Sequence, residues 1–304
     1  MRIPSCSVAV LLALTCSHAL AFTGPKAGTV VEVSLEQLHP TQAVIGFDQV
    51  YYQLERFARD RQKLFDEICE SNGQDKARTI SDSADPLKPE TFACTDQPNT
   101  HPQAMKTVVV GPGGQFYLTD GHHTFSTLWE QPGAGPKMKM KVRITDVFSD
   151  SADQANFWMR MQQAHKVWLK DGNGQSISPD QLPAHVGLQS MHNDILRSLV
   201  YFVRGAAYGK PKSGDISPEF LEFYWADWLR GQLDLGDYNL SERSGYHRAL
   251  QAASDLMVKP PSSKVVGGGM TAKQLGGFKS VKHKVLTRTA DEKLPLMIDY
   301  KDTH

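Results

Sequence analysis

The spacing of apolar positions changes character several times along this chain of 304 residues. Residues 29–33 (TVVEV) are a β-branched run that predicts a strand. Over 47–70, Val50, Leu54, Phe57, Leu64 and Ile68 recur at helical spacing, with Glu55, Arg56, Arg59, Asp60 and Lys63 on the other faces. That pattern predicts one amphipathic helix. Residues 71–104 are rich in Ser, Asp, Pro, Thr and Asn, follow neither period and read as a long loop. Strands are predicted at 106–110 (KTVVV) and 115–120 (QFYLTD), and the Gly-Pro-Gly-Gly turn between them makes a hairpin. Gly121 breaks the second strand. Residues 122–130 then read as a short helix that buries Phe125, Leu128 and Trp129, and 139–147 alternates as a closing strand.

Beyond residue 150 the pattern is helical, over 152–169, 188–207, 218–233 and 241–257. Ser217, Pro218 and Glu219 mark a helix start, and Phe220, Phe223, Tyr224, Trp225 and Trp228 after them read as core. Residues 259–288 collect Gly and Lys and read as a mobile or peripheral tail, with no GxxxxGK[ST] register for a phosphate loop. The predicted class is α+β: a small mixed β-sheet with flanking helices over 22–150, a mostly helical region over 151–258 packed on it, and a Gly/Lys-rich tail over 259–304.

The N-terminus changes the picture first. Arg2, the apolar run 8–14 (VAVLLAL) and Ala19, Leu20, Ala21 have the layout of a secretory signal peptide over 1–21. Cleavage after Ala21 predicts a periplasmic or secreted protein with no transmembrane segment in the mature chain. Cys6 and Cys16 leave with the signal; Cys69 and Cys94 remain, and in an oxidising compartment they are expected to form a disulfide. Lys plus Arg and Asp plus Glu are both 33, so overall charge makes no case for nucleic-acid binding.

Candidate chemistry concentrates at Asp120, Gly121, His122 and His123. A strand ends there, glycine permits a sharp turn, and the first N–H groups of the following helix lack internal partners. Such a terminus attracts phosphate. The histidines supply donors, a general acid or base, or separate metal ligands, and Asp120 could orient an imidazole or hold a divalent ion such as Mg²⁺. The plain alternative is a helix capped by Asp120 with two surface histidines.

Residues 118–124 (LTDGHHT), preceded by the glycine-rich turn and the VVV strand, resemble the signature of the ParB/sulfiredoxin superfamily, and more closely its ParB-like nuclease family. Residues 38–42 (LHPTQ), Gly46 and Val50 resemble that family's upstream marker. Residues 191–198 and 220–229 resemble its helical region. The resemblance implies that Gly121, His122, His123 and Thr124 contact phosphate, that Asp120 helps to build the site, and that Gln42 reaches the same cavity. His122 stands where sulfiredoxins carry a reactive cysteine, which excludes that thiol chemistry. Thr124 stands where related motifs carry arginine, so Lys106, Lys139, Lys141 or Arg143 would have to replace a strong donor.

A second polar cluster holds His192, Asn193, Asp194 and Arg197. Asp194 and Arg197 are spaced to pair on one helix face, and this helix is expected either to be joined by that bridge alone or to complete the pocket. The function expected is a secreted enzyme acting on a phosphate-containing substrate, by phosphodiester hydrolysis with Asp120, His122 and His123 as catalytic residues; nucleic acid is among the substrates of that class. Two alternatives share the cradle: nucleotide-dependent phosphotransfer, as in small-molecule kinases of the fold, and non-catalytic phosphate or nucleotide binding.

Overall fold

The computed structural model describes residues 24–211 and 218–304; the predicted signal peptide lies outside the described residues. Its strands are β1 (Val30–Ser34), β2 (Leu38–Pro40), β3 (Val44–Ile45), β4 (Ala77–Ile80), β5 (Phe92–Cys94), β6 (Thr107–Val110), β7 (Phe116–Asp120), β8 (Lys139–Val147), β9 (His192–Asn193), β10 (Val265–Gly267) and β11 (Met270–Thr271). Its helices are α1 (Phe47–Arg59), α2 (Arg61–Ser71), α3 (His122–Glu130), α4 (Gln154–Gln163), α5 (Ile195–Phe202), α6 (Leu221–Arg230), α7 (Arg243–Met257), α8 (His283–Glu292) and α9 (Leu294–Thr303).

The class is α+β. Five strands form a mixed sheet in the order β1-β8-β6-β7-β2. β6 and β7 are the antiparallel hairpin, β8 runs parallel to β6 and antiparallel to β1, and β2 runs parallel to β7. Alternation along β6 explains its two buried faces. Val108 and Val110 join the core under α1, α2 and α3 with Leu118, Val142, Leu54, Phe65 and Phe125, whereas Val109 faces Tyr117, Phe157 and Met161, so that α4 covers the other side.

A second core holds Phe202, Trp225, Tyr246, Leu250 and Met297 of the later helices, with Val44 and Tyr52 from the N-terminal half. The predicted change near residue 150 therefore separates layers of one packed body. Asp48 of α1 is buried, accepts from the Tyr246 hydroxyl at 2.8 Å and lies 3.2 Å from the Lys301 ammonium, so one carboxylate joins α1, α7 and α9.

Several boundaries differ from the sequence expectation. The helix expected over 47–70 is two helices, because the Asp60 side chain accepts the Gln62 N–H and starts α2. The loop expected over 71–104 contains the pair β4 and β5, and Cys94 at its end is bridged to Cys69 of α2 with 5.6 Å between Cα atoms. The helix expected over 152–169 ends at Gln163, and Trp168 pairs its backbone with Gln42 instead. The tail expected over 259–304 is not peripheral: α8 and α9 bury Leu286, Ala290, Leu294 and Met297. The glycine and lysine signal came from the hairpin and turns that precede them. No helix among the described residues is long and apolar enough to cross a membrane.

Candidate functional site

The turn between β7 and α3 is held by three features. Gly121 has φ 110°, in the left-handed region, and a Cβ there would lie 2.6 Å from Lys106 Cγ. Only glycine lets the chain turn this sharply beneath the Lys106 stem. No side chain caps the start of α3, so its first N–H groups keep their capacity to meet an anion. Asp120 ends β7 exposed at the rim.

Asp120 is exposed, but the two imidazoles that follow it do not share its face. Both are buried. His122 Nε2 accepts the backbone N–H of Thr41 at 3.1 Å, and His123 Nε2 accepts that of Gly46 at 2.9 Å. These N–H groups belong to the chain running from β2 into α1, where no water reaches them, and a buried donor requires an acceptor. An accepting Nε2 carries no proton, so each neutral ring bears its proton on Nδ1. Burial pushes His122 down to about 3. Burial, followed by the fields of Arg197, His122 and Arg204, puts His123 well below its ordinary value. Both rings are neutral near pH 7. The general acid or base expected of them does not match this state, and what they offer is Nδ1–H donation and the fixing of the turn.

The other expected residues divide. Thr41 Oγ1 donates to the Leu118 carbonyl at 2.6 Å, fastening the Pro-Thr-Gln turn to β7. Gln42 is buried and donates its amide N–H to the Val44 carbonyl at 2.6 Å, so that donor serves the turn. Thr124 Oγ1 donates to Glu67 at 3.3 Å. Of the four basic residues weighed as a replacement donor, Lys106 lies against Gly121, whereas Lys139 and Lys141 pair with Glu32.

In the second cluster, His192 is exposed and pairs its backbone with Val44. Asp194 is buried; it caps α5 by accepting the Arg197 N–H at 3.1 Å and binds the Arg230 guanidinium at 2.8 Å. The Arg197 side chain is not paired with Asp194. It reaches Gln49 at 3.3 Å and Glu222 at 3.8 Å, and its buried Nε has no partner among the described residues. Burial pushes Arg197 down to about 10, so it stays charged, beside His123. A Cβ on Gly46 would lie 2.6 Å from Ser198 Oγ, so α5 packs against the residue whose N–H His123 accepts.

Two residues were missed in the sequence. Arg204 follows α5, ion-pairs with Glu222, and has its pKa raised by Tyr208 first and also by Tyr201 and Asp120. No motif marks it. Glu219 was read only as part of a helix start. Burial pushes its carboxyl up to about 7 against the opposing Lys166 ammonium, with Asp120 and Asp146 adding to the rise. Oε1 pairs with Lys166, and the buried Oε2 has no partner among the described residues. Among the described residues no three His, Cys, Asp or Glu side chains are grouped to hold a metal ion.

The mixed sheet thus carries Asp-Gly-His-His at its β7–α3 turn, tied to the Pro-Thr-Gln turn by His122 and to the start of α1 by His123. The chain belongs to the family described as putative ParB-like nuclease, whose model matches residues 31–231. Comparison with curated proteins gives no match. Among solved structures, protein Atu1540 from Agrobacterium tumefaciens is similar in fold, with 20% sequence identity, a TM-score of 0.51, and coverage of 75% of this chain and 90% of that one.

Proposed function

We propose that the protein binds a phosphate-containing substrate at the start of α3 and hydrolyses a phosphodiester there. The observation that carries this reading is the uncapped helix start behind Gly121, with the Lys106 stem across it and Arg197 and Arg204 beside His123. The N–H groups of residues 121–124 and the two guanidinium groups would neutralise the phosphoryl oxygens as charge develops on them. His122 and His123 hold the turn and are available as neutral Nδ1–H donors. Asp120, exposed at the rim, would take a proton from the attacking water. Glu219, protonated in part near neutrality, would return one to the leaving oxygen. The bond formed is water oxygen to phosphorus, and the bond broken is phosphorus to the leaving oxygen.

Two further features support a location outside the cytoplasm. The Cys69–Cys94 bridge suits an oxidising compartment, and the sequence of residues 1–21 suits export. We take the protein to act outside the cytoplasm, where nucleic acids and phosphate esters are met more often than nucleoside triphosphates.

The test is turnover of DNA, RNA, nucleotides and bis(4-nitrophenyl) phosphate, with and without Mg²⁺ or Mn²⁺, alongside binding of inorganic phosphate. Gly121→Ala is expected to abolish binding, because the added methyl meets the Lys106 stem in a backbone conformation costing about 1–3 kcal/mol. Glu219→Gln is expected to keep binding and lose turnover, most strongly near pH 7. Binding without turnover in the parent protein would leave a phosphate-binding protein. No binding would end the reading.

A further inference from the structure

Beyond the cradle, a second concentration of positive charge lies where α1, α5, α8 and α9 meet. Tyr52 and Arg56 are four apart on α1 and so share a face, and Tyr201 and Arg204 are three apart at the end of α5. The two tyrosine rings lie 6.2 Å apart between centroids, and Lys293, from the junction of α8 and α9, sits over both: its Nζ is 5.5 Å from the Tyr52 ring and 4.9 Å from the Tyr201 ring. Lys293 is thereby seated between the stretches of α1 and α5 that carry Arg56 and Arg204, and Arg288 lies on α8 just before it; burial first, and then the fields of these three arginines, lower the Lys293 pKa.

Carboxylates are fewer. Glu222 is engaged by Arg204 and Arg197. Glu292 acts on Lys293, and Glu67 acts on Tyr201, without either forming an ion pair with the cluster. Among the described residues, Arg56, Arg288 and Lys293 make no ion pair; Arg56 donates only to its helix neighbour Gln53, at 3.0 Å. Gathered like charges repel one another, and the two ring faces under Lys293 and the Glu222 carboxylate on Arg204 offset only part of that. A bound anion supplies the missing compensation.

Arg204 connects this cluster to the cradle, since it shares Glu222 with Arg197 of α5, and α5 packs through Ser198 against Gly46, whose N–H His123 accepts. Lys293 and Arg288 also lie outside residues 31–231, the part matched by the family model. We propose that α8 and α9 add a second phosphoryl-binding subsite beside the cradle, so that the preferred ligand carries a chain of phosphates. This rests on the proposed phosphate site at α3 and extends it. The shared chemistry is a linear run of phosphoryl groups, whether the phosphodiester backbone of a single strand or a linear polyphosphate. Tyr52 is buried, so its ring serves as a floor for Lys293 and leaves no open face on which a base could stack.

The experiment compares three probes on the full chain at several salt concentrations: inorganic phosphate, a single-stranded oligonucleotide and linear polyphosphate. Arg288→Gln changes an exposed side chain and tests charge without threatening the fold. Lys293→Gln is read together with its melting temperature. Each is expected to weaken binding of a multi-phosphate probe by about tenfold, and to reduce the salt slope for the oligonucleotide by about 0.7. Inorganic phosphate should bind both variants as it binds the parent. The probe whose affinity falls names the source of the phosphate chain. Unchanged affinity and slope in both variants would overturn the second subsite and leave the cradle standing, as would a parent protein that binds both multi-phosphate probes no tighter than inorganic phosphate. A parent that binds none of the three would overturn both.

Discussion

Replacing His123 with alanine is expected to destabilise the protein by about 3 kcal/mol, because it leaves the buried Gly46 N–H without an acceptor and opens a cavity beneath α3. The melting temperature should fall by roughly 6–10 °C. The same pair of rings makes stability depend on pH. His122 has a folded pKa of about 3 against an ordinary 6.5, and His123 is displaced in the same direction. Below 6.5 the unfolded chain binds protons that the folded chain does not, so stability falls as pH falls and is recovered as pH rises through that window. Acidification from about pH 6 to about pH 5 should cost about 2 kcal/mol from the two rings together. His122→Gln keeps an acceptor for the Thr41 N–H without titrating, and its denaturation midpoint should vary less with pH. An alanine variant as stable as the parent, with an unchanged pH profile, would show that these rings do not fasten the turn.

Reducing the Cys69–Cys94 bridge is expected to cost about 3 kcal/mol, the chain-entropy value for the 25-residue separation it closes. Cys69 is fully buried in the core under α2, so reduction also leaves two thiols in a site packed for a bridge. Urea unfolding with and without reductant measures the difference, and Cys69→Ala combined with Cys94→Ala should reproduce it. Equal midpoints in all three cases would mean that the pairing of β4 with β5 and their contacts with α2 suffice to hold this segment.

The bridge and the hairpin were legible because each depends on local or countable features: two cysteines remaining once the expected leader is set aside, and a glycine turn between β-branched runs. The break at Asp60 was less visible. Apolar spacing runs through it almost unaltered, and only the capping of Gln62 by the aspartate side chain separates α1 from α2. The C-terminal helices were masked by the glycine and lysine run before them, and the apolar positions of α8 and α9 gain meaning only when α1 and α7 are in place to receive them.

For the site, the sequence by itself determined where the turn falls, that glycine is needed there, and that the Pro-Thr-Gln segment belongs with it. The family was legible there as well, and its model matches residues 31–231. Tertiary structure alone decided what the histidines do. Two adjacent imidazoles at a helix start look the same in sequence whether they face water or the interior, and their direction was set by the buried N–H groups of Thr41 and Gly46, more than seventy residues upstream. It likewise decided that Arg197 turns to Gln49 and Glu222, that Arg204 stands between Asp120 and Lys293, and that Glu219 titrates near neutrality. Hydrogen-bond demand, desolvation and the fields of distant charges act through space, and no spacing along the chain encodes them.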